Sequence, residues 1–243
     1  MFNSDLKNAR GQSIKITAVI PARGGSKGVI KKNLATVGGK PLIAWSIETA
    51  LACTRLDRVI VNTDDLEIAE VAKSYGADVP FIRPSNLAQD DSPVFEALIY
   101  GLDVLEAQGY FSSHTMQLNP TSPLRVKDHI DQSIDLLISE SADSVVAVKE
   151  ASNHPYWCKT IEGNRLKDFM NVGPDQYKIR QQLPKAFSLT GSIFLTSNTL
   201  IRQGTHYSPN TVPLIIPPEF SLDIDTQWEL DLANLILAER AKQ

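Results

Sequence analysis

The sequence predicts an α/β fold, a mostly parallel sheet flanked by helices, carried by a single domain over residues 14–243 with an inserted arm at 151–189. Three observations predict it. Short β-branched runs alternate with stretches of helical period, the pattern of βαβ units with right-handed crossovers. A glycine-rich loop follows the first run, at the strand edge where open α/β sheets bind ligands. A chain of 243 residues buries roughly 70–75% of its unfolded surface, so its core needs neither metal nor disulfide staples.

The elements follow in order. Residues 1–13 are a polar N-terminal extension without the apolar core of a signal peptide. Residues 16–20 (ITAVI) read as a buried strand that stops at Pro21. Residues 41–53 have apolar positions at helical spacing, with Pro41 suited to the first helical position. A second strand is expected at 59–62 and a helix at 66–75. Asp64 before it is read as that helix's cap or as a metal ligand. A third strand is expected at 79–82, ending at Arg83-Pro84, and Asp90-Asp91-Ser92 then caps a helix over 93–108. Strands at 115–118 and 144–148 flank a helix at 126–139.

The arm at 151–189 breaks the period, but Trp157, Phe169, Tyr177 and Phe187 argue against a disordered linker. Strands at 191–196 and 212–216 and a helix over 227–241 complete the chain.

Composition narrows the function. Hydrophobic residues make up 42% and charged residues 21%, ordinary for a globular protein. A net charge of −4 and a pI near 5.6 argue against a general nucleic-acid binder. The two cysteines, Cys53 and Cys158, suggest a reducing compartment. No apolar run approaches the ~20 residues that span a bilayer. A soluble cytoplasmic protein is expected, with no membrane or nucleic-acid partner.

The first loop gathers Gly24, Gly25, Gly28 and Ser26 with the cations Arg23, Lys27, Lys31 and Lys32. Glycines let backbone N–H groups approach an anion, and clustered cations need solvent or a polyanion. The loop is therefore a triphosphate cradle or a solvated basic turn. It is no Walker loop, because Ser26-Lys27-Gly28 runs in the wrong order, and Gly39-Lys40 is followed by Pro41. Gly25-x-x-Gly28 also lacks the first glycine of a dinucleotide fingerprint. Asp223 and Asp225 straddle Ile224, which in extended backbone turns both carboxylates to one side. They suit a Mg²⁺ held by few protein oxygens plus phosphates; otherwise Asp225 or Thr226 caps the last helix. Arg180 offers a fork for a carboxylate or is a surface arginine. The stretch from Asn119 to Pro123 (NPTSP) orients a ligand or makes a turn. His154 and His206 lack zinc-like spacing, and no motif marks a nucleophilic Ser or Cys.

Five motifs in order resemble the acylneuraminate cytidylyltransferases, the enzymes that make CMP-activated sialic and related nonulosonic acids. They are IPARGGSKG with Lys32-Asn33, RPSNLAQDDSP, NPTSPLR, RQQLPKAF followed by TGSIFLT, and SLDIDT. The resemblance implies a Rossmann-like nucleotidyltransferase sheet, a homodimer joined through the arm, Mg²⁺ as cofactor, and CTP and a nonulosonic acid as substrates. It implies that Arg23, Gly24, Ser26, Lys27, Lys32 and Asn33 bind the nucleotide's phosphates, with Arg83 at the cytidine end and Thr121 also on the nucleotide. Arg180 would hold the sugar carboxylate. Asn119, Phe194, His206 and Tyr207 would line the sugar site, and Asp223 and Asp225 would bind the metal. Arg23, Lys27 and Asp223 would carry catalysis. Asn119 stands where many members carry Gln, and Ile30 where most carry Pro. The alternatives are an eight-carbon sugar acid as acceptor, a sugar 1-phosphate as acceptor, or a catalytically silent nucleotide-binding homologue.

Overall fold

The first strand lies between its two parallel neighbours: β1 (Ile16–Pro21) pairs with β4 (Arg58–Asn62) on one side and β5 (His114–Gln117) on the other. The computed structural model describes residues 6, 7, 11, 13–170 and 183–242. Between β1 and β4, the chain makes a small antiparallel pair, β2 (Thr36–Val37) and β3 (Lys40–Pro41), and then helix α1 (Leu42–Leu51). Helices α2 (Leu66–Ser74) and α3 (Val94–Ala107) separate β4 from β5. Helix α4 (Lys127–Ser139) leads to β6 (Ser144–Glu150). A hairpin of β7 (Lys159–Glu162) and β8 (Arg165–Asp168) precedes β9 (Phe187–Ser197), the short α5 (Asn198–Arg202), β10 (Thr211–Ile215) and α6 (Gln227–Arg240).

Among the described residues, six strands form the main sheet in the order β10-β6-β9-β5-β1-β4. All pairings are parallel except those of β9, which runs antiparallel to both β5 and β6. Strand alternation sorts the core into faces. Ile16, Ala18 and Ile20 of β1 pack with Ile43 and Ile47 of α1 and with Ile130 and Ile134 of α4. Val19, on the opposite face, packs with Leu98, Leu102 and Leu105 of α3. A third cluster joins α6, through Leu230 and Leu237, to Val29, Leu124 and Ile224. That cluster seats the Asp223–Asp225 segment against the first loop.

Several local expectations fail for identifiable reasons. Residues 79–82 form no strand; the segment makes one parallel bridge, Ile60 to Asp78, and then turns away. The helix-66 cap is Asp65, whose carboxylate accepts from Glu67 N at 2.8 Å and Ile68 N at 3.1 Å; Asp64 is free to face the loop. Pro41 sits one position before the first helical residue, as N-cap of α1. Pro93, with no side-chain cap, precedes α3, because Asp90 turns to the cations of the first loop. Of the two caps expected for α6, the structure uses Thr226, which holds, and Glu229 reaches back to complete the capping box. Strand β9 begins at Phe187, two residues inside the range expected for the arm.

Candidate active site

Loop residues 22–35 cross the C-terminal ends of β1 and β4. The Arg23 guanidinium donates to Gln89 O at 2.9 Å and pairs with Asp90 at 2.9 Å. Lys27, mostly exposed, pairs with the other Asp90 oxygen at 2.6 Å. Asp90 bridges both cations, and they hold its carboxyl below the usual range, Lys27 contributing most. Ser26 is partly exposed and Gly25 has open space around it. The Gly24 N–H already donates to Asp64 Oδ1 at 3.1 Å, so that amide is not offered to an anion. Asn33 is buried and its amide donates to Arg23 O at 2.9 Å. Both residues brace the loop here rather than face the cleft. Lys31, beside them, pairs with Glu67 on α2.

Lys32 ties this loop to the acidic segment. Its ammonium donates to Ile224 O at 2.8 Å and to Asp225 Oδ1 at 2.9 Å. Gly28 makes the same contact from the backbone side. A β-carbon there would lie 2.0 Å from Asp225 O, so only glycine allows this approach. Ile224 is fully buried in the third core cluster, and its N–H donates to Thr121 O at 2.9 Å. The Thr121 hydroxyl bonds the Asp223 carboxyl, which burial above all, and Asp225 in addition, push above the usual carboxylate range. Asp223 Oδ1 is buried without a hydrogen-bond partner among the described residues. A buried, unpartnered carboxylate oxygen beside a second carboxylate fits a hard divalent cation. Among the described residues no group of three His, Cys, Asp or Glu forms a closed metal site. A cation here would therefore use two protein carboxylates and keep positions for phosphate and water.

Arg83 is buried, and its Nη2 reaches Asp64 Oδ1 at 3.4 Å. Burial outweighs that carboxylate and pulls the guanidinium below its usual value. Asp64 thus serves Gly24 and Arg83 and belongs to the loop's frame.

On the other side of the cleft, Asn119 follows β5 after the buried Leu118. Its side-chain oxygen accepts from Gln117 Nε2 at 2.8 Å, and its main-chain oxygen accepts from Arg125 at 3.2 Å. Arg125 is fully buried and also donates to Ser192 O at 2.6 Å and to the Ser46 hydroxyl. Burial alone pulls it down to about 9. Gly191, at φ 71°, brings β9 up to Asp223 and Asn119.

Phe194 and His206 stack on one another, centroids 4.5 Å apart, and Phe95 packs against the same imidazole at 4.6 Å. His206 is 6% exposed and Phe194 9% exposed. The imidazole Nδ1 meets the Thr196 hydroxyl at 3.0 Å, and burial pulls its pKa down to about 4. The pair is thus the floor of that side, neutral at physiological pH; Tyr207 beside it is half exposed. Arg180 lies outside the described residues.

Four participants escape the sequence reading: Asp90, Gln117, Arg125 and Gly191. Gln117 carried a signal, being a polar residue at a buried position of a strand. Arg125 closes the NPTSPLR motif, but only burial shows that it lies beneath the motif rather than in the cleft.

A mostly parallel sheet with a cationic loop, an acidic pair and a strand-end turn meeting at its C-terminal edge defines a nucleotidyltransferase. Residues 17–154 match the sequence profile described as cytidylyltransferase, more than half of the chain. The chain belongs to the cytidylyltransferase family. It is 36% identical to the CMP-N,N'-diacetyllegionaminic acid synthase of Legionella pneumophila, over 89% of this chain and 94% of that one. It is 32% identical to a pseudaminic acid cytidylyltransferase of Campylobacter jejuni, over 92% of this chain and 96% of the relative. With the N-acylneuraminate cytidylyltransferase of Escherichia coli the identity is 31%, over 94% of this chain and 54% of that longer protein. Among solved structures, a CMP:2-keto-3-deoxy-manno-octonic acid synthetase complexed with CTP superposes with a TM-score of 0.67 at 17% identity, covering 93% of this chain and 99% of that one. At that identity the likeness shows the fold alone. No helix among the described residues is long and apolar enough to cross a membrane.

Proposed function

We propose that this chain transfers CMP from CTP to the anomeric hydroxyl of a nonulosonic acid, releasing pyrophosphate. The Legionella and Campylobacter relatives, at 36% and 32% identity, are named for N,N'-diacetyllegionaminic and pseudaminic acids, which supports a nonulosonic acceptor over an eight-carbon one. One observation carries the reading: Lys32 joins the cationic loop to the Asp223–Asp225 segment, beside a buried carboxylate oxygen without a partner among the described residues. Phosphates and a divalent cation are thereby expected side by side.

Arg23 and Lys27 would exchange Asp90 for the β- and γ-phosphates and stabilise charge on the departing pyrophosphate. Asp223 and Asp225 would hold Mg²⁺, which supplies charge neutralisation at the phosphates when bound. Asn119 and Arg180 would orient the sugar acid, Arg180 through its carboxylate, so that its hydroxyl lines up behind the α-phosphorus. The attacking oxygen belongs to the substrate, so no enzyme nucleophile is required. The cytoplasm, where CTP is made, is the compartment this reading expects.

The homodimer belongs to the same reading. The β7–β8 hairpin stands off the sheet with the cross-strand pair Ile161 and Leu166 exposed at 70% and 71%, beside Phe169 at 71%. An isolated hairpin is marginal in water, and an apolar pair so exposed suits packing against a second copy of the chain.

The test is pyrophosphate release with CTP and a panel of nonulosonic acids, in the presence of Mg²⁺ or EDTA. Release that needs both CTP and the metal is expected; full activity in EDTA, or equal use of ATP, would sink the reading.

A further inference from the structure

Gln117 is the last residue of β5 and 4% exposed. Its register partners are Val19 of β1 and Phe194 of β9, so its side chain shares their face of the sheet. A polar residue at such a position requires an explanation. One amide hydrogen bond is made, Gln117 Nε2 to Asn119 Oδ1 at 2.8 Å, and Gln117 Oε1 is left buried with no protein partner among the described residues. The amide therefore does not satisfy itself; it satisfies Asn119.

That bond decides which end of the Asn119 amide faces the cleft. With its oxygen taken by Gln117, Asn119 presents NH₂ toward Gly191. There, Asn119 Nδ2 and Asp223 Oδ2 lie 3.7 Å and 3.3 Å from the point a Gly191 β-carbon would occupy. Reversing both amides would satisfy Gln117 Oε1 only by leaving the Gln117 NH₂ without its acceptor, and it would place the Asn119 oxygen on the Gly191 side, where Asp223 Oδ2 also lies. The arrangement with one orphaned acceptor at Gln117 keeps a donor on that side instead.

We propose that Gln117 is a positioning residue for substrate choice: it locks the Asn119 amide with its NH₂ toward the sugar acid, so that this point of the site reads a hydrogen-bond acceptor, the carbonyl oxygen of an acylamino substituent. The inference rests on the CMP-transfer reading for its substrate and on the geometry alone for the lock.

Two substitutions separate the lock from mere packing. A carboxylate only accepts hydrogen bonds, so Gln117→Glu draws the Asn119 NH₂ to itself and turns the Asn119 oxygen to the cleft. At pH 8, kcat/KM for an N-acetylated nonulosonic acid should fall about 10–100-fold, the range for leaving a buried polar group unpaired, with the KM for CTP unchanged. Lowering the pH protonates the new carboxyl, restores a donor, and should recover kcat/KM relative to wild type. Gln117→Leu should lose preference for the acylamino acid over its free-amino analogue without any such recovery. An unchanged acylamino-to-amino preference in both variants, or a loss confined to CTP, overturns the proposal. A second readout needs no turnover. In nitrogen NMR of the ligand-free protein, the Asn119 side-chain NH₂ should shift with pH in Gln117→Glu and not in wild type. A pH-independent Asn119 signal in that variant overturns the lock even where no nonulosonic acid is a substrate, whereas failure of wild type to release pyrophosphate overturns the reaction instead.

Discussion

Arg23 and Arg125 both belong to motif loops at the C-terminal end of the sheet, yet their surroundings are opposite. The Arg23 side chain is 35% exposed and shares Asp90 with Lys27. Arg125 is 3% exposed, pairs with no carboxylate among the described residues, and holds three oxygens of the strand-end turn, β9 and α1. Exposed ion pairs contribute about 0–1 kcal/mol each, so the Asp90 contacts exchange readily for phosphate. Buried hydrogen bonds around a charge are costly to leave unmade, so the Asn119 side is fixed before any substrate arrives. On the proposed function, the loop end of the cleft is an electrostatic surface suited to the polyanionic nucleotide. The opposite end is a preorganised hydrogen-bonding surface, suited on the same reading to telling a sugar from its analogues.

Breaking the seam between loop and acidic segment should do most harm. Gly28→Ala places a β-carbon into the Asp225 carbonyl, and the loop can relieve it only by pulling Lys32 away from Ile224 and Asp225. Overpacking of this kind costs about 1–3 kcal/mol of stability, and a misplacement of about 1 Å costs on the order of 100-fold in rate. Steady-state kinetics with a thermal melt check both; wild-type kcat would mean that the two segments act independently.

Arg125→Met probes the buried end. The Ser192 carbonyl and the Ser46 hydroxyl lose this donor, at about 1–3 kcal/mol each, while Asn119 O keeps the Ser46 hydroxyl at 3.2 Å; removing a buried unpaired charge partly offsets the loss. A net loss of about 2–4 kcal/mol in urea unfolding is expected, with a raised KM for the sugar acid and an unchanged KM for CTP. Equal damage to both KM values would erase the contrast between the two ends.

Acid should distinguish them as well. His206 and His114 are both pulled down to about 4 by burial, against 6.5 for an unfolded histidine. Above pH 6.5 both states are neutral at these rings and the stability is whole. As pH falls from 6.5 toward 4, the unfolded chain binds the protons first and stability is lost, by up to about 1.4 kcal/mol per pH unit for each ring. His206→Gln should flatten the slope of Tm against pH between 6.5 and 5; an unchanged slope would mean that His206 titrates normally.

The smallest effect belongs to the exposed end. Asp90→Asn frees Arg23 and Lys27 and should lower the KM for CTP by no more than about fivefold, as befits surface pairs, leaving the KM for the sugar unchanged. A rise of KM instead would show that Asp90 shapes the loop rather than guarding it.

The same contrast explains what could be read beforehand. The alternating runs and the loop chemistry carry the sheet and the nucleotide end, because exposed cations, glycines and acidic pairs advertise themselves by type and spacing. The antiparallel course of β9 was not legible: GSIFLT reads as a strand whichever way it runs, and only the tertiary pairing with β5 and β6 decides. The strand expected at 79–82 failed because apolar residues there pack Phe81 beside Tyr100 without a partner strand. Asp64 and Asp65 are adjacent carboxylates, and which one caps the helix depends on Gly24 and Arg83, far off in sequence. Gln117 shows in the sequence only as a polar residue within a strand, and Arg125 only as the end of a motif, because their contacts lie below the surface, on Asn119.

On the proposed reaction, the sugar's own oxygen attacks the α-phosphorus of CTP across this cleft. A nonulosonic acid carrying heavy oxygen at its anomeric hydroxyl, turned over with CTP and Mg²⁺ and followed by mass spectrometry, tests it directly. The account predicts that the label stays in the CMP-linked product, between sugar and phosphorus, and that the pyrophosphate is unlabelled. Label in the pyrophosphate, or a CMP-linked product that has lost it, would contradict the account.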